Sequence, residues 1–204
     1  MKYKDPTGIV PAQYTGEEII ADSDAELKDG SEALTFYNVV KERLLNVNNW
    51  HKLAGFLSAQ FQVVDKNGRE VQRNVQKGDY IRVDIPGPGS KEGEGFDWVH
   101  VEDLKEVTGD AVQSIGFRVR PTANPLNKSD HIAHFYDDTA TSSFIVTKEE
   151  SKVIATIIDR NLKPNDDTES LSDKLRHTVV GRTAINSFSK IQWKNLAKGL
   201  VEMK

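Results

Sequence analysis

Between residues 56 and 160 the apolar positions of this chain recur at every second residue, and on either side of that stretch they recur at every third or fourth. The first period belongs to strands with one buried face, the second to helices with one buried stripe. A chain patterned this way folds as an α+β protein, its consecutive strands paired by hairpins into an antiparallel sheet. Its 204 residues can bury about 70% of the surface that the unfolded chain exposes, so a core forms without staples. The chain has no cysteine, which excludes disulfides, thiolate nucleophiles, Cys-ligated zinc and iron–sulfur clusters.

Residues 1–16 are polar, punctuated by Pro6, Gly8, Pro11 and Gly16, and read as an arm over the domain. Glu17, Glu18, Ile19 and Ile20 form a short strand. A helix opens near Ser31, and Leu34, Tyr37, Val40, Leu44 and Leu45 give it an apolar stripe; residues 46–49 break it, Trp50 begins a short second turn, and Gly55 closes that turn. Strands are expected at 60–64, 69–75, 79–85, 98–102, 114–120, 142–147 and 152–159. Asn67-Gly68 supplies a tight hairpin turn between the first two, and Pro86, Gly87, Pro88 and Gly89 end the third. Beyond Pro164 the helical period returns. Thr168 or Ser170 caps a run that reaches Met203, with Leu171, Leu175 and Val179 on one face and Phe188, Gln192, Leu196 and Leu200 continuing the line; Gly181 is a candidate kink. No repeat or interdomain linker interrupts residues 17–204, so one domain is expected after the arm.

The order of these elements resembles the helix-grip fold of the START-like, birch-pollen-allergen-like superfamily. The matching pieces are the helix pair at 39–50, the hairpin series, and the C-terminal helix ending Trp193-Lys194-Asn195-Leu196-Ala197-Lys198-Gly199-Leu200. The resemblance covers residues 17–203 and implies one curved antiparallel sheet wrapped around the long C-terminal helix, with a cavity between them. The chain departs from that pattern in its long arm and in the 18-residue loop at 121–138, a length that ordered domains usually reserve for function. A second arrangement places a small barrel of the Src-homology type at residues 77–107, which leaves the later strands and the long helix needing a domain of their own.

The run Asp130-His131-Ile132-Ala133-His134-Phe135-Tyr136-Asp137-Asp138 sets two histidines three apart among carboxylates, the mixture a divalent metal takes. The spacing supplies no third ligand, with His51, His100 and His177 distant in sequence. No metal site is therefore expected, and the run reads as a polar loop whose Asp and His side chains satisfy backbone groups. Alternation puts Tyr80, Arg82 and Asp84, then Trp98, His100 and Glu102, then Arg118 and Arg120 opposite the apolar positions of their strands. These charges are expected as a ladder on the solvated face of the sheet, because burying so many in a cavity costs heavily. Gly87, Gly89, Gly93 and Gly95 lack the order of a phosphate loop, and no GxSxG elbow surrounds Ser142 or Ser143.

Candidate lining residues for the cavity are Trp50, Phe61, Val83, Trp98, Val99, Phe117, Val119, Phe144, Phe188 and Ile191. The resemblance implies that a small apolar or amphipathic molecule binds there without being transformed, and without a cofactor. Two other readings stay open. One is an enzyme of the aromatase/cyclase type that uses a cavity histidine (His131, His134 or His100) as general acid or base. The other is a protein-interaction module with a filled core and a protein partner at a sheet edge or loop. Lys+Arg 27 against Asp+Glu 31 leaves a net charge of −4, the wrong sign for a nucleic-acid backbone. No apolar run approaches about 18 residues and the first residues carry no apolar leader segment, so a cytoplasmic protein without membrane insertion is expected.

Overall fold

The computed structural model describes residues 3–55, 58–85, 90–165 and 179–203, with 179–185 described by their backbone alone. The elements run β1 (Glu17–Glu26), α1 (Gly30–Leu45), a 3-10 turn (Val47–Asn49), α2 (Trp50–Ala54), β2 (Gln60–Val64), β3 (Tyr80–Asp84), β4 (Asp97–Thr108), β5 (Val112–Pro121), β6 (Thr141–Glu149), β7 (Lys152–Leu162) and α3 (Val179–Leu200). All seven strands among the described residues belong to one antiparallel sheet in the order β1-β7-β6-β5-β4-β3-β2. β3 and β4 are neighbours within it, so the separate barrel at 77–107 does not form. Thr168, Ser170, Leu171, Leu175, His177 and the 86–89 loop lie outside the described residues, as does the side chain of Val179.

One face of the sheet carries the alternation read from the sequence. Phe61, Ile81, Val99, Val101, Phe117, Val119, Phe144, Val146 and Ile157 are buried there, and α1 covers part of them with Ala33, Tyr37, Val40, Leu44 and Leu45. The stripe on α1 starts at Ala33, while Leu34 is exposed, because Ala33 continues the four- and three-residue steps through Tyr37, Val40 and Leu44. Its cap is Asp29, whose carboxylate accepts the N–H groups of Ser31 and Glu32 at 2.9 Å each. The last turn of α3 buries Leu196, Ala197 and Leu200. Gly199 lets that turn touch α2: a Cβ there would stand 2.2 Å from the carbonyl oxygen of Leu53.

Two strands differ from expectation. β1 is ten residues long and not four, pairing with β7 along its length. Its second half, Asp22 to Glu26, uses Ser, Ala and acidic residues that are weak strand formers, and what holds it is the partner strand. The expected strand at 69–75 is absent beyond one bridge between Val64 and Glu70. The Asn67-Gly68 turn does form, with Asp65 accepting the N–H groups of Asn67 and Arg69. The ladder then stops because Asn48 intervenes. Its Oδ1 accepts the Val63 N–H at 2.7 Å and its Nδ2 donates to the Val71 carbonyl at 2.8 Å, satisfying groups a strand pair would have used.

The convex face carries the charge ladder. Arg118 donates through Nε to Glu102 at 2.8 Å, and Arg120 bonds the other oxygen of the same carboxylate. Burial would raise Glu102, but Arg120 and Arg118 together hold it below the usual carboxylate range. The arm crosses this face: Ile9 is fully buried against Ile145 and Ile158, and its carbonyl accepts from Arg118 Nη1 at 2.8 Å. Among the described residues no helix is long and apolar enough to cross a membrane.

Candidate functional site

Between the concave face of the sheet and α3 lies a cavity of about 60 Å³. Its floor is Ile81, Val83, Val99, Val119 and Phe144, contributed by neighbouring strands β3 to β6. Trp50 from α2 and Phe61 from β2 form one wall, and Phe188, Ser189, Gln192 and Trp193 of α3 form the roof. The aromatic rings are packed on one another: Trp50 lies 4.7 Å from Phe144 and 5.3 Å from Phe61 between centroids, and Phe144 meets Trp193 edge-on at 5.3 Å. A broader groove of about 600 Å³ crosses the outside of α1 and α2, lined by residues such as Asn38, Glu42 and Lys52. It is shallow and brings no buried polar groups together, so the interior cavity is the candidate site.

One end of the cavity is polar. The loop between β5 and β6 folds back on the sheet, fixed by Trp98 N–H to Ala133 O at 2.8 Å and Ala133 N–H to Thr122 O at 3.0 Å. This brings His134 and Phe135 into the cavity wall beside Ser142. The Tyr136 N–H donates to Nδ1 of His134 at 3.0 Å, which puts the proton of the neutral ring on Nε2. Nε2 in turn faces Oδ2 of Asp97 at 3.9 Å. Burial pushes Asp97 up to about 7, against the pull of the Phe135 N–H, and pushes His134 down to about 3. At neutral pH the histidine is therefore uncharged, and the two groups are not an ion pair. Asp159 is a second buried carboxyl: burial raises it to about 6, while hydrogen bonds from Ser142 and from Trp193 Nε1, the latter at 2.7 Å, pull it back. A further chain of bonds ties the roof down, Tyr136 Oη donating to Asn186 at 2.6 Å and Asn186 to Glu17 at 2.7 Å.

Of the residues expected to line the cavity, Trp50, Phe61, Val83, Val99, Val119, Phe144 and Phe188 do border it. Phe117 is buried against Trp50 and Phe144 without bordering the space. Two placements are corrected. Trp98 stands on the opposite face, buried against Val64 and Ala133, because it alternates with Val99. Ile191 is 61% exposed, since it lies a third of a turn off the line Phe188, Gln192, Leu196. Of the candidate histidines only His134 reaches the cavity; His131 is exposed, and His100 lies on the convex face against Tyr80. Among the described residues no three His, Asp or Glu side chains converge as metal ligands. The sequence reading missed Ile85, Phe135, Ser142, Ser189 and the buried Asp97. Phe188 is half-buried, so Phe188→Ala should cost about 1–2 kcal/mol in urea unfolding, not the 3–5 kcal/mol of a fully buried ring. A loss above about 3 kcal/mol would place it in the core.

A single antiparallel sheet curved around a C-terminal helix, with α1 against the same face, α2 packed on the last turn of the C-terminal helix and a cavity under that helix, is the helix-grip fold in one domain. No protein-family model matches the chain, and no curated protein is similar to it in sequence. Solved structures similar to it include a hypothetical protein of Helicobacter pylori, at 12% identity over 90% of this chain and 87% of that one, with a TM-score of 0.49. Truncated norcoclaurine synthase of Thalictrum flavum aligns over 95% of this chain and 100% of its own, at 9% identity and a TM-score of 0.35. Major latex-like protein 151 of Panax ginseng aligns over 86% and 97%, at 9% identity and a TM-score of 0.35. The last two are birch-pollen-allergen-like proteins. The strand order and the packing of α3 over the concave face define the fold.

Proposed function

We propose that the protein binds a small, mainly apolar molecule in the cavity between the sheet and α3. The observation that carries this reading is the cavity's make-up: aromatic and branched aliphatic walls, with few polar groups, His134 and Ser142 at one end and Ser189 and Gln192 in the roof. Its volume of about 60 Å³ is well below the roughly 300 Å³ at which drug-sized pockets begin. It is also below the roughly 150 Å³ apolar cavity that holds benzene. A guest of that size enters by displacing Phe188, the half-buried ring of the roof. Titrating toluene into the native protein while following amide resonances tests the reading. Saturable shifts confined to Val83, Val99, Val119, Phe144 and the Trp193 indole support it, and absence of saturable binding contradicts it.

The catalytic reading comes second, and one observation favours it. A buried carboxyl raised to about 7, facing the Nε2 proton of a neutral His134, is a group able to give or take a proton near neutral pH. It would act on a guest held against Val83 and Val99. The filled-core interaction module has the small volume of the cavity and its close-packed aromatic walls in its favour.

A further inference from the structure

Asp97 is 4% exposed, and its Oδ2 has no hydrogen-bond partner among the described residues. A buried carboxylate oxygen left without a partner forfeits its hydration with nothing in return, and calls for an explanation at the site itself. Asp97 pairs across the sheet with Val83 and lies two residues before Val99 on the same face, and both valines floor the cavity. His134, whose Nε2 stands 3.9 Å from that oxygen, is part of the cavity wall. No lysine or arginine among the described residues is within ion-pair distance of Asp97.

The distance of 3.9 Å is too long for a hydrogen bond between the two side chains. It suits one shared oxygen: an atom about 2.8 Å from each would see them at an angle of about 90°, within the ordinary range for a hydroxyl that donates to one group and accepts from the other. The role of His134 is already fixed. With Nδ1 occupied by the Tyr136 N–H, Nε2 can only donate, and the free Oδ2 accepts when ionised. A carbonyl oxygen could take the Nε2 proton but would leave an ionised Asp97 unmet. A protonated amine has no lone pair for Nε2. A hydroxyl takes the Nε2 proton and either donates to the ionised carboxylate or accepts from the protonated one, whereas a carbonyl meets the protonated carboxyl alone.

We propose that the ligand of this cavity carries a hydroxyl group, an alcohol or a phenol, seated between Nε2 of His134 and Oδ2 of Asp97. The proposal rests on the reading of the cavity as a binding site for a small apolar molecule and specifies the polar end of that molecule. His134 and Asp97 are then the residues that select among apolar guests. In the absence of such a seat, toluene should bind better than phenol, because phenol must give up hydrogen bonds to water.

The test is a pair of titrations of the native protein with phenol and toluene, followed by NMR. Phenol is expected to bind at least tenfold more tightly than toluene, with a shift of the His134 Nε2 proton that toluene does not produce. In Asp97→Leu the preference for phenol should be lost, the ratio falling to one or below. Equal affinities in the native protein would mean that solvent satisfies the pair, overturning this proposal and leaving the apolar binding site intact. A preference for phenol that survives in Asp97→Leu would overturn it as well. If neither compound binds, both readings fall. Should Asp97→Leu not fold, the native affinity ratio and the Nε2 proton shift decide.

Discussion

Replacing Trp50 by Ala should destabilise the protein by about 3–5 kcal/mol, enough to leave a domain of ordinary stability close to unfolding at room temperature. Trp50 is almost fully buried and is the residue through which α2 reaches the sheet. Its ring contacts Phe61, Phe117 and Phe144, each within 6 Å between centroids, and such pairs add about 0.5–1.5 kcal/mol beyond burial. Its Nε1 donates to the carbonyls of Leu44 and Arg43 at 3.1 and 3.2 Å, where α1 ends and leaves carbonyls without helical partners. Trp50→Phe keeps most of the packing and loses that bond, so it should cost about 1–2 kcal/mol. Urea unfolding of both variants checks the pair of values. Equal losses would mean that the hydrogen bond, and not the aromatic contact, sets the role of Trp50.

The largest pH effect is expected from Asp97. Its carboxyl lies near 7 in the fold against an ordinary value of 3.8, so the folded protein holds a proton there that the unfolded chain has released. The stability this contributes is full below about pH 4 and is lost as the pH rises to about 7, a span on the order of 4 kcal/mol. Asp159, raised to about 6, adds a loss of the same sign that is complete by that pH. His134 opposes both. Lowered from 6.5 to about 3, it makes stability rise with pH between those values. Asp97→Asn removes one contribution and leaves the others. Between pH 4 and pH 8 the difference in unfolding free energy should therefore shift by about 4 kcal/mol in favour of the asparagine variant over the native protein. A difference that stays flat across that range would show that Asp97 titrates as if in water.

Much of this architecture can be traced in the sequence, and the failures have physical causes. The alternation in Ile81 and Val83, Val99 and Val101, and Phe117 and Val119 places the concave face because each strand has one side in the core. The same alternation places Trp98 on the far side of the sheet. Its burial there comes from the β5–β6 loop, which brings Ala133 over it, and no local pattern announces where an 18-residue loop will land. Asp97 had a readable signal, a carboxylate two residues before Val99 on the apolar side of its strand. What could not be read is that His134 would close over it. β1 outran its expected length because Asp22, Ser23 and Asp24 have little strand preference of their own and are ordered by β7. The missing strand at 69–75 turns on one side chain, Asn48, from another part of the chain.

Whether the space above Val119 is a binding cavity or a packing gap decides the function proposed for this protein. Thermal and urea unfolding of Val119→Phe, with and without toluene, tests it most directly. In a binding cavity the larger ring enters the space, the stability changes by less than about 1 kcal/mol, and the stabilisation that toluene gives the native protein disappears. That is the expected result. A loss of about 1–3 kcal/mol or more in Val119→Phe, together with no stabilisation of the native protein by toluene, is the signature of an overpacked core and would contradict it.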